Sequence, residues 1–282
     1  MTVLVTGATG RVGSRLVPRL LRQSVPVRAL IRDEARAEPL RALGAETVPG
    51  DLRDGGSLDA ALKGVEAVVH LAATFRGGVP EDEVAAVNHD ATVRLARCAL
   101  AAGVPRFVHV STTLVYGGGL GRPAEETDEP GSGGWAYPAS KAAADRALLA
   151  LHADDGLPLR IARLAFVYGD GDPHLRESLM WARDWAPHQR LQMVHHADVA
   201  QALLRLLGAE GIDGGVFNVA DDAPVTALEL LRLNGEDVAA DAAGRTVDDP
   251  WETIVDTTRI RRVLGFRPVH PTVYAAQAAG AL

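Results

Sequence analysis

The sequence predicts an α/β fold: a doubly wound parallel sheet covered by helices on both faces, with a small C-terminal cap. Short β-branched runs alternate with longer helical stretches over the first two thirds of the 282 residues. Parallel strands need such crossovers, which are usually helices. A glycine-rich turn also lies directly between the first strand and the first helix. In such sheets ligands bind at the carboxyl ends of the strands.

Six segments have the length and the apolar composition of buried strands, namely 3–6, 25–31, 46–48, 67–71, 107–111 and 159–164. The intervening helices are expected near 11–23, 34–43, 57–62, 82–102 and 137–153. Strand periodicity weakens afterwards. We therefore expect a core of residues 1–167, to which 191–220 return, and a cap formed by 168–190 and 221–282. Seven glycines and two prolines between 117 and 134 predict a mobile loop.

Composition excludes several classes of protein. The 29 basic residues are outnumbered by 36 acidic ones, and no basic stripe suits nucleic acid. One cysteine, Cys98, cannot form an internal disulfide or a cysteine-based zinc site. No apolar run reaches the length of a membrane span, and no signal peptide precedes the first strand. We expect a soluble cytoplasmic protein that acts on a small molecule.

The strongest local motif is the turn from Thr6 to Gly13, with the sequence T-G-A-T-G-R-V-G. Glycines at these spacings let the backbone turn tightly and approach a pyrophosphate, while the helix N-terminus supplies N–H groups and the positive end of its dipole. The turn therefore predicts a Rossmann-type dinucleotide site. Its expected cofactor-binding residues are Gly7, Thr9, Gly10, Arg11, Val12 and Gly13.

The end of the second strand bears on cofactor choice. An acidic residue usually binds the ribose 2′-hydroxyl of NAD there, but this strand ends in Ile31 and Arg32. A guanidinium suits a 2′-phosphate, so NADP is favoured, and Arg11 could add a second positive contact. The alternative is NAD, with Asp33 at the ribose and both arginines in solvent.

Two weaker signals follow the third and fourth strands. Asp51 and Leu52 come after the third strand, where Asp51 could accept a hydrogen bond from the adenine amino group. Leu71, Ala72 and Ala73 end the fourth, where small side chains could line the path of the cofactor. Their order behind the glycine turn makes these assignments stronger together than singly.

A second strong motif is Y-P-A-S-K, residues 137–141, at the start of a predicted helix. The spacing of Tyr137 and Lys141 places them on one helix face. There the ammonium could lower the pKa of the phenol and let Tyr137 exchange a proton with a carbonyl or alcohol. A hydroxyl from the 111–113 run should share the same substrate oxygen.

Together these motifs resemble the short-chain dehydrogenase/reductase superfamily, and within it the NAD-dependent epimerase/dehydratase family. The resemblance also includes H-L-A-A, S-T-T-L-V-Y-G, R-L-A-F-V-Y-G, V-H-H-A-D-V-A and a late F-N-V-A. It implies that Thr112 is the catalytic hydroxyl, Tyr137 the acid/base, and Lys141 the residue that binds the ribose and supplies charge. It assigns Asn88 to the cofactor-side network, with simple helix polarity as the alternative.

Two departures from the family pattern affect the expected substrate. Phe166 stands where the family usually has an asparagine that helps to hold a sugar nucleotide's diphosphate, and the cap is short. Thr113 and Leu114 stand where the 4,6-dehydratases carry an aspartate and a glutamate. These departures weaken the case for a nucleotide-sugar substrate and for water elimination.

Five apolar residues are candidates for the substrate wall, although core packing is the default for each: Leu114, Trp135, Phe166, Trp181 and Met193, with Trp185 as a weaker sixth. Together they suggest an aromatic or apolar substrate only weakly. Asp198 is expected to cap a helix over 199–207. His195 and His196, which precede it, are not expected to bind metal, because adjacent side chains on an extended segment point apart.

The favoured function is NADPH-dependent reduction of a ketone on a small or aromatic molecule. A nucleotide-sugar 4-epimerase is the leading alternative. From a different class, the chain could be a non-catalytic sensor that binds NADP, although the Tyr137/Lys141 pair counts against it. The resemblance also implies a possible homodimer through the helices at 82–102 and 137–153.

Overall fold

The computed structural model describes residues 1–75, 78–131 and 135–282. Its strands are β1 Val3–Thr6, β2 Val27–Ile31, β3 Glu46–Pro49, β4 Ala67–His70, β5 Phe107–Thr112, β6 Leu159–Leu164, β7 Phe166–Tyr168, β8 Arg190–Leu191, β9 Met193–His195, β10 Gly215–Val219 and β11 Val225–Thr226. Its α-helices are α1 Gly13–Arg22, α2 Glu38–Ala42, α3 Gly55–Leu62, α4 Glu81–Ala85, α5 Ala91–Ala101, α6 Ala136–Asp155, α7 His174–Glu177, α8 Leu179–Ala182, α9 His196–Gly208, α10 Ala227–Leu233, α11 Thr258–Leu264 and α12 Val273–Ala278.

The central sheet has seven parallel strands in the order β10-β6-β5-β4-β1-β2-β3. Crossover helices lie between its strands, so the predicted α/β class and doubly wound sheet are confirmed. Thr6 pairs with His70 of β4, and Thr112 with Leu164 of β6. This register brings the glycine turn, the end of β4 and Thr112 to one edge. The six predicted strands are all present, and β10 is the seventh.

Several element bounds differ from those predicted, for identifiable reasons. The second strand begins at Val27 because Pro26 has no N–H to donate to a ladder. The helix predicted over 82–102 is two α-helices joined by a π-helical turn, Ala86–Asp90. The sixth helix continues to Asp155 and ends at Gly156, which adopts the left-handed conformation.

The glycine-rich segment after residue 117 has no helix or strand over 117–131. It is nevertheless attached, because Ala124 pairs with Val255 in an isolated parallel bridge. The Asn218 side-chain amide also donates to the Ala124 carbonyl (3.1 Å). Residues 132–134, the rest of the predicted loop, lie outside the described part of the chain, and its mobility stays a prediction.

Two apolar clusters pack on opposite faces of the central sheet, and a third, the cap cluster, is built mainly from the segments predicted to form the cap. The cap cluster contains Tyr168, Leu175, Ala182, Leu191, Met193, Val225, Leu230, Val273 and Ala276. By contrast, Ile260, Leu264 and Phe266 join the main cluster, because α11 packs against β10. The predicted division into core and cap stays a proposal.

The turn after β1 needs glycine at two positions for steric reasons. Gly7 has a φ of +68°, and a Cβ there would lie 2.7 Å from the backbone nitrogen of Ala72. At Gly13, the first residue of α1, a Cβ would overlap the carbonyl oxygen of Gly7 and lie 2.6 Å from Ala8 Cα. Helix α1 can therefore approach β1 only if residue 13 has no side chain.

We expect Gly13→Ala to lower the free energy of unfolding by about 1 to 3 kcal/mol, the usual cost of overpacking. Gly55→Ala is the matched control, since Gly55 is the first residue of α3 and a Cβ there meets nothing within 4 Å. Its effect should stay within about 1 kcal/mol. Urea denaturation measures both, and equal effects would contradict the packing argument.

Candidate active site

Two cavities lie along the carboxyl edge of the central sheet. The larger has a volume of about 490 Å³ and the smaller about 230 Å³. Both are lined by Gly7, Gly10, Leu71, Ala73 and Thr74, so they meet at the glycine turn. The pair forms an extended site, a shape that suits a dinucleotide.

Most of the predicted cofactor residues line one of these cavities. Those at the smaller one are Gly7, Thr9, Gly10, Arg32, Asp51, Leu52, Leu71, Ala72 and Ala73. Those at the larger one include Arg11, Val12, Gly13 and Tyr137. The two exceptions, Asn88 and Lys141, lie behind the cavity walls and are described below.

The smaller cavity is strongly basic. Arg32, Arg36 and Arg53 all line it. Arg53 donates two side-chain hydrogen bonds to Asp51 (3.0 and 2.8 Å), and this contact lowers the pKa of Asp51 to about 2. Asp51 is therefore a carboxylate already engaged by a guanidinium, which was not predicted.

Arg36 was missed by the sequence analysis. Its guanidinium donates to the Thr9 carbonyl of the glycine turn (2.6 Å), which ties the segment after β2 to that turn. Asp33, the alternative ribose ligand, instead accepts from the backbone N–H of Ala35 (3.1 Å) and caps a short 3₁₀ turn. Among the described residues around the smaller cavity, the acidic side chain is that of Asp51.

Asn88 is fully buried in the π-helical turn and joins two parts of the site. Its amide exchanges hydrogen bonds with the backbone of Thr74 (2.7 and 2.9 Å) and donates to the Ser140 hydroxyl (3.0 Å). Ser140 in turn donates to the Tyr137 carbonyl (2.8 Å). Asn88 thus fixes the segment after β4 against the first turn of α6.

Tyr137 and Thr112 lie together in the larger cavity. Thr112 also accepts from the Leu114 N–H (3.2 Å) as it ends β5, which fixes its hydroxyl. Burial raises the pKa of Tyr137, against the lowering that the sequence predicted. The neutral phenol is therefore favoured, which suits a proton donor.

Lys141 is 1 % exposed and is held by β5. Its Nζ donates to the Val110 carbonyl (2.8 Å) and to His109 Nε2 (3.1 Å). Burial lowers the pKa of Lys141 from 10.5 to about 8. Burial and the neighbouring ammonium also hold the pKa of His109 well below its usual range, so His109 is a neutral acceptor.

A buried ion pair lies behind this lysine. Asp145, one turn after Lys141, accepts from Arg163 Nε (2.9 Å) and lies 3.5 Å from His109 Nε2. Burial raises the pKa of Asp145, and the charges of Arg163 and Lys141 oppose that rise. Sequence reasoning missed these residues because β5, β6 and α6 bring them together from distant positions.

Aromatic side chains form one wall of the larger cavity. Leu114 and Phe166, two of the predicted substrate residues, line it, and so does Phe75. Trp135 is 49 % exposed and packs with its ring 6.0 Å from Phe75 and 5.5 Å from Tyr137. Phe75 was missed, although it lies two residues after the H-L-A-A run.

The other predicted wall residues lie behind this surface. Trp181 packs edge-on against Phe166 (6.0 Å), and its ring lies 4.3 Å from that of Trp185 in a tilted arrangement within the cap cluster. Met193 is completely buried in the same cluster. These residues support Phe166 rather than line the cavity, in agreement with core packing as their default role.

Charged side chains join the glycine turn to the cap. Arg11 donates to Asp172 (3.0 Å) and to both carboxylate oxygens of Glu177 (2.9 Å). Asp172 also accepts from His196 Nε2 (2.8 Å). Arg11, predicted to contact the cofactor, thus has its guanidinium committed to carboxylates of the cap.

The prediction that Asp198 caps a helix was wrong. The helix begins earlier, at His196, and the ring of His195 accepts from the Ala197 N–H (3.0 Å) as its N-cap. Asp198 is buried and accepts from the backbone N–H groups of Val269 and His270. It fixes the segment before α12 instead.

Two features are absent from residues 1–75, 78–131 and 135–282. No cluster of three or more histidine, cysteine, aspartate or glutamate side chains could hold a metal ion. Over the same ranges, no helix has the length and apolar composition needed to cross a membrane.

Comparison with known proteins places this geometry in context. The model of the NAD dependent epimerase/dehydratase family matches residues 3–220. A ketoreductase of a 3-oxo-dihydroquinoline-1-oxide from Stigmatella aurantiaca is 30% identical, over 92% of this chain and 83% of its own. A dihydroflavonol 4-reductase from Zea mays is also 30% identical, over 82% and 73%. The structure of a dTDP-glucose 4,6-dehydratase from Streptomyces venezuelae, solved with NAD, superposes with a TM-score of 0.78 at 28% identity, covering 99% of this chain and 97% of the other.

The buried position of Lys141 predicts a pH-dependent stability. Between its folded pKa of about 8 and the ordinary value of 10.5, the unfolded chain binds more protons, so stability rises with pH. Below about pH 8 Lys141 is charged in both the folded and the unfolded chain, so the free-energy cost of burying its charge is largest there. Relative to Lys141→Met, we expect the free energy of unfolding of the wild type to rise by about 3 kcal/mol across this range.

Urea denaturation at several pH values measures this difference, and common alkaline effects cancel within the pair. Lys63→Met is the matched control, because Lys63 is exposed. Its difference from the wild type should be flat with pH. A flat profile for Lys141→Met would show that Lys141 titrates as an ordinary lysine.

Proposed function

Because the chain belongs to the NAD-dependent epimerase/dehydratase family and is an NAD(P)-dependent oxidoreductase of the short-chain dehydrogenase/reductase superfamily, we propose that it reduces a ketone on an aromatic or other apolar small molecule, using NADPH. The observation that carries this proposal is the larger cavity. Its wall beside Tyr137 and Thr112 contains Phe75, Leu114 and Phe166, which reward an apolar ring through the area that they bury.

The proposed chemistry assigns one task to each side chain. Thr112 donates a hydrogen bond to the substrate oxygen and orients the carbonyl. Tyr137 donates its phenolic proton to that oxygen as the carbonyl becomes an alcohol, and its raised pKa keeps this proton available. The hydride that adds to the carbonyl carbon would come from a reduced nicotinamide bound in this site. Lys141 holds positive charge behind the tyrosine and, with Asn88, maintains the first turns of α6.

The same cavity argues against a nucleotide sugar. A buried diphosphate needs convergent donors, because an unpaired phosphate in a desolvated cleft is costly. Among the described residues lining this cavity, the one arginine or lysine is Arg11, which is already bound to Asp172 and Glu177. Phe166 offers a ring where the family usually has an amide. Relatives named as ketoreductase and 4-reductase fit this substrate class.

NADP is the proposed cofactor because of the basic smaller cavity. Arg32 is exposed at the end of β2, and Arg36 lies four residues later, at the same cavity. Two guanidinium groups there suit a 2′-phosphate. Arg53 contributes less, because Asp51 already engages it.

The structure also bears on the alternative of a protein without catalytic activity. The juxtaposition of Tyr137 with Thr112 supports catalysis over a sensor that only binds NADP. A cytoplasmic location and a homodimer through the helices around 82–102 and 137–153 stay predictions.

The proposed reaction is tested by NADPH consumption, followed as loss of nicotinamide absorbance. With a bicyclic aromatic ketone such as α-tetralone, one alcohol should form for each NADPH oxidised. UDP-glucose, tested by calorimetry and as a substrate, should neither bind tightly nor isomerise. Net isomerisation of a nucleotide sugar without cofactor consumption would favour the epimerase.

In the same assay Tyr137→Phe should reduce turnover by about two or more orders of magnitude, because only the proton donor is lost. Binding of NADPH should survive. Tyr274→Phe, at a half-exposed tyrosine of α12, is the control and should retain turnover. Activity that persists in Tyr137→Phe would assign the proton to water or to the substrate.

Cofactor choice is tested by Arg32→Asp, which removes a phosphate donor and adds a repelling charge. Affinity for NADPH should fall at least about tenfold more than affinity for NADH. Arg262→Asp, an exposed position of α11, makes the same charge change elsewhere and should affect neither. Equal losses for both cofactors at Arg32 would show that it does not reach the 2′ position.

A further inference from the structure

One histidine of the larger cavity has no part in the proposed reaction. His196 is 2 % exposed, forms the first residue of α9, and lines the cavity that Tyr137 and Thr112 also line. A buried imidazole needs hydrogen bonds for its ring nitrogens.

One nitrogen of His196 is satisfied by a fixed carboxylate. Nε2 lies 2.8 Å from Asp172 Oδ2, while Oδ1 of Asp172 accepts from Arg11 (3.0 Å) and from the His174 N–H (3.0 Å). A carboxylate only accepts, so Nε2 carries the proton. In an imidazole whose Nε2 carries the proton, the other nitrogen, Nδ1, is the acceptor.

That acceptor is without a partner. Nδ1 of His196 is buried and makes no hydrogen bond within the part of the chain that the structure describes. Gln192, another polar side chain of the cavity, differs in this respect. Its Oε1 accepts from the Val255 N–H (2.8 Å) and its Nε2 donates to the Asp221 carbonyl (3.3 Å). His196 therefore has an acceptor without a partner in the described residues, whereas the oxygen and the nitrogen of the Gln192 amide each already have one.

We propose that His196 determines substrate specificity by accepting a hydrogen bond from a hydroxyl group of the substrate. The substrate is then a hydroxyketone: its carbonyl is held by Thr112 and Tyr137, and its hydroxyl donates to His196 Nδ1. Asp172 is the positioning residue, because it fixes the ring and its tautomer. This inference rests on the proposed ketone reduction and names its substrate class.

The test uses three matched sets of probes: α-tetralone, its ring-hydroxylated derivatives and its ring-methoxylated derivatives. A hydroxyl both donates and accepts, whereas a methoxy group only accepts. Calorimetry with the protein saturated with NADP⁺ measures affinity, and NADPH consumption measures turnover separately. At one ring position or more, the hydroxylated ketone should bind about fivefold or more tightly than the other two, the effect of one hydrogen bond.

His196→Phe should reduce this preference to less than about twofold. His196→Leu, which has no hydrogen-bond acceptor, should do the same if the Phe variant does not fold. His188→Phe makes the same change at an exposed histidine and should keep the preference.

Three results would overturn the inference: equal affinity for hydroxylated and unsubstituted ketones, equal affinity for hydroxylated and methoxylated ketones, or a preference that survives both substitutions of His196. Binding of none of the probes would also count against it. Ketone reduction without hydroxyl preference would leave the proposed reaction standing. Hydroxyl-dependent binding without NADPH consumption would support the hydrogen bond to His196 and contradict the proposed ketone reduction.

Discussion

The geometry of the candidate active site depends on one buried ammonium group. Lys141 is almost completely removed from water, and moving a cation out of water is costly unless other groups compensate. The Val110 carbonyl and His109 of β5 supply hydrogen bonds, and Asp145 supplies negative charge nearby. Because Lys141 and Tyr137 lie in the same first turns of α6, the contacts that hold the ammonium also place the phenol beside Thr112.

This arrangement extends across the sheet through polar contacts. Arg163, which pairs with Asp145, also lies over the ring of Tyr116 at 4.8 Å. The Tyr116 hydroxyl donates to Asn218 Oδ1 on β10 (2.7 Å), and the amide of Asn218 reaches the Ala124 and Asp256 carbonyls. The glycine-rich segment after residue 117 is thereby anchored at its centre. These polar contacts therefore connect strands β5, β6 and β10 with helix α6.

The features that could be predicted from the sequence are those with a local cause. Alternating apolar runs predicted six strands of the sheet, and the glycine spacing predicted the turn before α1. The spacing of Tyr137 and Lys141 predicted a shared helix face. Each depends on backbone geometry within a few residues, so the local sequence was sufficient.

The features that were missed depend on tertiary contacts. The pairing of His196 with Asp172, and of Asp145 with Arg163, joins residues that are 24 and 18 positions apart. The pKa of Tyr137 was predicted to fall because the lysine was considered without the burial that the fold imposes on both groups. Asp198 was expected to cap α9 because aspartate is a common N-cap residue. The helix begins earlier, however, and the ring of His195 is its N-cap.

Arg11 has a consequence for the exchange of parts between related proteins. It belongs to the turn that approaches the dinucleotide, yet its guanidinium is bound to Asp172 and Glu177 of the cap. A chimera that received the cap of a relative without these carboxylates would leave a partly buried guanidinium unpaired beside the glycine turn. The cap and the glycine turn therefore cannot be exchanged independently in this chain. Residues 11, 172 and 177 have to be transferred together.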